Sequence, residues 1–324
     1  MKRRPKIVVI GGGTGTYQVL VGLKKFPQDF DLTAIVTMAD SGGSSGRLRE
    51  EFGMLPPGDV RRALLALSDL PISKETLRKL FEFRFENGHG LAGHSMGNLL
   101  LAALTQIRGR EDLAISEAEK ILEVSGRVLP VTLSKTQLHG ILTDGTVVKG
   151  ETNIDVRRIK PSVPIERVYL HPQARIYPKA REAILKTDLI ILGPGDLYTS
   201  VVPNLLVKGV NEAIYRSSAR VVYICNLMTK HGETDGFTAQ DFLDEVKKYL
   251  GKAQSRLSDV LVNKKVALPK AVVGWYRQYH SAPVEDGLDQ RKNGVQVIHE
   301  AFVQPGKLVR HDPEKVACAL VKLL

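Results

Sequence analysis

Glycines, hydroxyls, acids and amides collect in a few short stretches of this chain. The first is Gly11-Gly12-Gly13-Thr14-Gly15-Thr16, directly after the β-branched run Lys6-Ile7-Val8-Val9-Ile10. Glycines there let the backbone turn tightly and approach a ligand. The helix predicted over residues 17–25 would then point its N-terminal N–H groups and partial positive charge at a phosphate. The dinucleotide fingerprint G-x-G-x-x-G is not met, because Thr16 or Gln18 stands where its last glycine would fall. The turn therefore indicates an anion without naming a cofactor.

A second stretch, Asp40-Ser41-Gly42-Gly43-Ser44-Ser45-Gly46-Arg47, follows a predicted strand at residues 32–37. An acid just past a second strand can bind ribose hydroxyls, as in an NAD site. Alternatively, Asp40 and Asp59 could hold Mg²⁺ beside phosphates, since hard cations take oxygen ligands. Ser41, Gly42, Gly43 and Ser44 could form a nest of N–H groups for an anion. Arg47, helped by Arg49, could add charged hydrogen bonds to a diphosphate. A solvated basic face and a loop-capping Asp40 are the plainer readings of the same residues.

Further along come Gly193, Gly195, Asp196, Tyr198, Thr199, Ser200 and Asn204, after a buried strand at 188–192. Asn226 and Thr229 follow another strand at 220–225, and Arg310 is a late guanidinium suited to a diphosphate. Gly93-His94-Ser95-Met96-Gly97 matches the nucleophile elbow G-x-S-x-G letter for letter. An elbow needs a buried strand before its serine, and residues 84–92 do not read as one. Gly93 and Gly97 are therefore expected to allow close packing at a helix start, with His94, Ser95 and Asn98 facing the ligand edge.

These loops need a scaffold that brings them together. Strand, glycine turn and helix open the chain as a βα unit, and a strand at 32–37 closes the first βαβ. Helices are expected at 60–67, capped by Asp59, and at 74–84, 95–106 and 115–124. Residues 128–133, 137–142, 146–149 and 168–170 read as short strands, with Asp144-Gly145 as a hairpin turn. Strands and helices then alternate again: helices at 178–186, 205–215 and within 237–250, a strand at 259–262, an irregular stretch at 274–294, extended segments at 295–303 and 307–310, and a closing helix at 313–324. The fold class is α/β: a mostly parallel sheet flanked by helices, in residues 1–126 and 171–324, with a β-rich insertion at 127–170. In such a sheet ligands bind outside the carboxyl ends of the strands, so the four strand-end loops should converge on one edge.

The chain has 324 residues, 43% hydrophobic and 25% charged, with a net charge of +11. That charge favours anionic partners. Its Lys and Arg are scattered, aromatics are only 6%, and no nucleic-acid motif is present, so nucleic acid is not expected as a partner. Two cysteines, Cys225 and Cys318, leave no disulfide framework or zinc cluster and suit a reducing compartment. The basic start, Met1-Lys2-Arg3-Arg4, leads straight into a strand and reads as a solvated tail. No apolar run reaches membrane-spanning length. A cytoplasmic protein is expected.

Taken in order, Gly11 to Gly15, Thr37 to Arg49, Pro56-Pro57-Gly58-Asp59, Gly93 to Asn98 and Gly193 to Val201 resemble the motifs of the bacterial gluconeogenesis-factor family, relatives of 2-phospho-L-lactate transferase. The resemblance spans nearly the whole chain. It implies a Rossmann-like domain that binds a UDP-sugar, such as UDP-N-acetylglucosamine or UDP-glucose. It also implies a role in growth on gluconeogenic carbon and in cell shape, exercised through a protein partner in wall-precursor supply. A homo-oligomer is expected as well. The transferase relatives use a guanosine diphosphate donor and a divalent metal held by aspartates, at positions matching Asp40 and Asp59. Here Ser41 follows Asp40 where a second acid is expected. That departure weakens transfer chemistry and leaves phosphate binding intact.

Overall fold

A computed structural model describes residues 3–26, 30–264, 268–288, 294–304 and 306–324. The chain begins with strand β1 (Lys6–Gly11), helix α1 (Gly13–Lys24) and strand β2 (Asp31–Val36). Helices α2 (Gly43–Phe52), α3 (Gly58–Leu67), α4 (Glu75–Glu82), α5 (Met96–Arg108) and α6 (Glu111–Ile121) lead to β3 (Arg127–Pro130). Next come β4 (Gln137–Leu142), β5 (Val147–Lys149), α7 (Glu151–Asp155) and β6 (Ile165–His171). Then follow α8 (Pro178–Lys186), β7 (Leu189–Leu192), α9 (Val202–Leu205), α10 (Val210–Arg216) and β8 (Arg220–Ile224). The rest comprises α11 (Ala239–Leu250), β9 (Leu257–Asn263), α12 (Lys270–Gln278), β10 (Gln296–Glu300), β11 (Val303–Gln304), β12 (Arg310–His311) and α13 (Pro313–Val321).

Seven strands form one sheet in the order β10-β9-β8-β7-β1-β2-β3, and every pairing in it is parallel. Helices cover both faces of such a sheet, so its central strands read as continuous apolar runs. Ile7 to Ile10 and Leu189 to Leu192 are all buried, which explains why these stretches show no alternation. The chain order reverses at β1: β2 and β3 lie on one side, β7 and its successors on the other. That reversal opens a crevice above the ends of β1 and β7.

The insertion is a three-stranded antiparallel sheet, β5-β4-β6, with α7 beside it. Asp144-Gly145 makes the expected turn between β4 and β5, with Gly145 at φ 83°. The boundary at residue 127 needs correction. β3, expected inside the insertion, pairs with β2 in the main sheet (Ala34 opposite Val128). Its apolar sequence identifies a strand but not its partner, so the insertion begins only after Pro130.

Other expectations shift as well. Residues 43–52, too rich in Gly and Ser to be read as regular, form α2; it ends on Gly53, whose left-handed φ of 61° stops it. Asp59 does not cap its own helix, since Pro57 occupies the N-cap of α3. The helix expected over 205–215 is two helices, broken at Gly209 with φ 102°. The stretch expected to be irregular from residue 274 instead opens inside α12, which runs on to Gln278. Residues 289–293 of that stretch, and Met1 and Lys2 of the basic start, lie outside the described residues. Among the described residues no helix is long and apolar enough to cross a membrane.

The closing helix packs its start directly on the first. A Cβ built on Gly22 of α1 would stand 2.0 Å from the Pro313 carbonyl oxygen. Replacing Gly by Ala inside a helix normally gains about 1 kcal/mol. Here backbone faces backbone and neither side can rotate away. Gly22→Ala is therefore expected to destabilise the protein by about 1–3 kcal/mol, the usual cost of overpacking. Urea denaturation checks the sign; a stabilised variant would show that α1 and α13 are not in this contact.

Candidate functional site

The glycines of the first turn have distinct mechanical reasons. A Cβ on Gly12 would sit 2.6 Å from Asp59 Oδ2 and 2.7 Å from a Thr37 methyl. On Gly15 it would lie 2.4 Å from the Pro194 carbonyl oxygen. On Gly195 it would press against Ser200 and the Gly12 carbonyl, at 2.9 and 3.2 Å. The turn after β1 and the turn after β7 thus touch backbone to backbone. Gly15 does the close-packing task that the missing fingerprint glycine would do.

A cavity of about 680 Å³ opens beside these turns, within the range of small-molecule sites. Gly13, Thr14 and Gly15 line it from the start of α1, where the first-turn N–H groups have no carbonyl one turn back. Gly195, Asp196 and Ser200 line it from the β7 loop, Asn226 and Thr229 from the β8 loop, and Arg310 from β12. Asn226 Nδ2 donates to the Gly195 carbonyl at 2.9 Å, joining two of the loops. Thr229 is stitched to the segment opposite: its hydroxyl accepts from the Ala282 N–H at 2.9 Å. His311 is buried and bonds through Nε2 to the Cys225 carbonyl at 3.1 Å. Burial lowers its pKa to about 4, partly offset by that bond, so it anchors β12 as a neutral ring beside the exposed Arg310.

The cavity has walls that the sequence reading missed. Trp275, Tyr276 and Tyr279 of α12 and its end line it. The Trp275 ring lies 4.9 Å from that of Tyr276 and 4.7 Å from that of Tyr279. Trp275 is 42% exposed and Tyr279 58%, an unusual exposure for clustered aromatics in a chain so poor in them. Tyr276 accepts the Val309 N–H at 3.0 Å, which holds the helix against the strand carrying Arg310. Three aromatics within five residues were the available signal. Asp155, Arg157 and Lys230 also line the cavity.

A second group of candidates forms an acidic cleft on the other side of the glycine turn. Asp59 Oδ1 accepts from the Gly13 N–H at 2.9 Å and faces Arg62 at 3.3 Å. Asp59 therefore caps α1, a helix distant in sequence. Burial, then the charge of Asp40, pushes its pKa up to about 6. Asp40 Oδ1 accepts from the Gly42 N–H at 2.9 Å. Glu151, from the insertion, accepts from the Ser41 N–H at 3.2 Å, and the Ser41 and Thr152 hydroxyls meet at 3.2 Å. Burial, then Asp40, Asp155 and Asp59, raises the Glu151 pKa to about 8. Glu151 was invisible to motif reading because it lies more than a hundred residues from Asp40 and Ser41.

Several expected contacts do not face the cavity. Ser44, His94 and Asn98 form a buried network: Ser44 Oγ lies 3.0 Å from His94 Nδ1, and Asn98 Nδ2 donates to Ser44 Oγ at 3.1 Å. Arg61 donates to Asn98 Oδ1 at 3.0 Å, so the network ties α2, α3 and α5 together. Arg47 is half-buried and donates to the Ala92 carbonyl at 2.7 Å. Tyr198 is buried and bonds Glu245 at 2.9 Å, Thr199 is buried, and Asn204 donates to the Ser200 carbonyl at 2.8 Å. Gly11, Gly12 and Gly193 shape the turns, and Gly42 and Gly43 start α2. Ser95 is fully buried and its Oγ caps α5 by accepting the Asn98 N–H. No strand of the sheet precedes it, so the elbow match is a helix cap.

A separate cavity of about 540 Å³ lies at the opposite edge, among Lys6, Asp31 and Arg127 at the amino ends of β1, β2 and β3. Ligands of parallel sheets collect at the other, carboxyl edge. The carboxyl-edge cavity and the adjoining cleft are therefore the candidate site.

The raised Glu151 pKa sets a pH dependence. Unfolded, this carboxyl loses its proton near 4.3; folded, it keeps it to about 8. The folded state holds the extra proton between those values, so this group's contribution to stability falls as pH rises through that window and is flat above it. Relative to wild type, Glu151→Gln is expected to gain on the order of 2–4 kcal/mol between pH 5 and pH 8. Denaturation curves at the two pH values measure this. An unchanged difference between the proteins would remove Glu151 from the cleft.

Known proteins share this architecture. Residues 7–303 match the family described as 2-phospho-L-lactate transferase CofD. The gluconeogenesis factor of Halalkalibacterium halodurans is 46% identical over 99% of this chain and 97% of its own length. That of Bacillus subtilis is 42% identical over 100% of this chain and 99% of its own. A crystal structure of a UPF0052 family protein from Bacillus halodurans superimposes with a TM-score of 0.91 at 46% identity, covering 98% of this chain and 99% of that one. The chain belongs to the 2-phospho-L-lactate transferase CofD family, among the members named gluconeogenesis factor.

Proposed function

We propose that the protein binds a UDP-sugar, UDP-N-acetylglucosamine or UDP-glucose, in the carboxyl-edge cavity and acts as a regulator without turnover. One observation carries this reading: an exposed aromatic group, an exposed arginine and a helix N-terminus share one cavity at the topological switch. The uracil would stack on Trp275 or Tyr279, as bases stack on aromatic faces. The diphosphate would lie between Arg310 and the N–H groups of Thr14 and Gly15. The sugar hydroxyls would meet Asn226, Thr229 and Ser200. In this reading the occupied protein signals nucleotide-sugar supply to a protein partner in cell-wall precursor synthesis, and so supports growth and cell shape on gluconeogenic carbon. The cytoplasm and a homo-oligomeric state belong to the same proposal.

The acidic cleft supports a second reading, a metal-dependent transferase acting on a nucleotide diphosphate. Asp40, Asp59 and Glu151 offer hard oxygen donors, the chemistry that suits Mg²⁺. Asp59 Oδ2 and Asp40 Oδ2 are the oxygens left over from the bonds to Gly13, Arg62 and Gly42. A bound cation would offset the burial and, after it, the repulsion from Asp40 that raise the carboxyl pKa values, and it would supply charge neutralisation for a leaving phosphate. An NAD-binding enzyme is the remaining alternative.

Calorimetric titration with UDP-sugars, GDP and NAD, with and without Mg²⁺, separates these readings when followed by product analysis. A UDP-sugar should bind and be recovered unchanged. Arg310→Ala is expected to weaken binding by about 1–3 kcal/mol, and Trp275→Ala by about 1–3 kcal/mol. Arg47→Ala, outside the cavity, should leave affinity within about twofold, as surface changes usually do. Metal-dependent consumption of the ligand would favour the transferase, and preferential NAD binding would refute the UDP-sugar reading.

A further inference from the structure

Three carboxylates from three separate segments meet at the wall of the cavity. Asp155 ends α7 of the insertion, Asp196 lies in the β7 loop and Glu233 in the β8 loop. One oxygen from each lies within 4.8 Å of the others, a disposition that suits an oxygen-liganded cation. Lys230 Nζ stands among them, 2.7 Å from Asp196 Oδ2, 3.0 Å from Glu233 Oε1 and bonded to Asp155 Oδ1. Glu233 makes the cluster unusual. Its side chain is 1% exposed, and neither of its oxygens accepts a hydrogen bond in suitable geometry. Among the described residues the Lys230 ammonium faces it at ion-pair distance, and the Arg157 guanidinium acts on it from further away.

We propose that Asp155, Asp196 and Glu233 form a cation site whose occupant is the chain's own Lys230 ammonium, standing where a divalent ion would otherwise sit. Glu233 is buried and Asp155 and Asp196 are half-buried, and a buried carboxylate gathered with two others needs a compensating charge. Burial alone would lower the lysine pKa, but the charges of Glu233, Asp196 and Asp155 outweigh it and hold it above the ordinary range. The same burial, set against Lys230, raises the Glu233 pKa to about 8, so one proton can further reduce the excess negative charge. A tethered ammonium needs no free metal and cannot be removed by a chelator. It joins the insertion to both cavity loops and fixes the cavity wall in the ligand-free protein. With its bonds spent on three acids, Lys230 leaves the anionic part of a ligand to other groups. This inference concerns the wall itself and does not depend on which ligand the cavity takes.

The test is Mn²⁺ alone, titrated into the full chain and followed by electron paramagnetic resonance. Wild type should show no Mn²⁺ binding that Asp196→Asn removes. Lys230→Met should gain a site that takes up Mn²⁺ at least about tenfold more tightly than any binding wild type shows, since oxygen ligands freed of the ammonium suit a divalent cation. That gained site should vanish on adding Asp196→Asn and survive adding Asp59→Asn, which separates it from the acidic cleft. Lys230→Gln serves if the methionine variant does not fold. Wild-type Mn²⁺ binding sensitive to Asp196→Asn would overturn the proposal. So would a folded Lys230 variant that gains no such site.

Discussion

Everything at the carboxyl edge depends on one steric constraint: two turns approach each other through backbone alone. Gly15 faces the Pro194 carbonyl, and Gly195 faces the Gly12 carbonyl. A side chain at Gly15 would force the β1 and β7 loops apart. Their separation would move the start of α1 away from Ser200, Asn226 and Arg310, groups brought to the same cavity by different strands. Asp59 reinforces the arrangement from the far side by capping Gly13. The helix N-terminus is thus held between a carboxylate behind it and a cavity in front of it.

The insertion completes this edge. Its short helix α7 reaches two places at once: Glu151 and Thr152 contact Ser41 in the acidic cleft, and Asp155 contacts Lys230 beside the cavity. A change in either half can therefore be felt by the other through five residues of backbone. Buried ion pairs give little net stability once desolvation is counted, but removing one partner is costly. The Lys230 cluster is better understood as fixing geometry than as strengthening the fold.

The sheet was legible because its central strands are buried on both faces and end in glycine turns. The shared edge of the four loops followed from that alone, although only three of them line the cavity. The cavity's outer wall was not legible. No residue of α12 is buried, so its apolar side chains carry no core-facing stripe, and Gly274 suggests a break. α2 was hidden by the glycines and serines that open it. Tyr198, Thr199 and Asn204 sit in the right loop, but their side chains turn into the core, an orientation that a list of polar residues cannot give. Glu151 and Asp155 needed the tertiary fold, because only the packing of the insertion brings them to the strand ends.

Trp275 is the chain's sole tryptophan, and it stands in the wall where a base is placed here. Its fluorescence reports on that wall without labels or substitutions. Titration with UDP-N-acetylglucosamine should change the emission saturably, and a change only at ligand levels that also affect free tryptophan would not count as binding. NAD at the same concentrations should leave the emission unaltered. A saturable response to NAD with none to either UDP-sugar would contradict the assignment of this cavity.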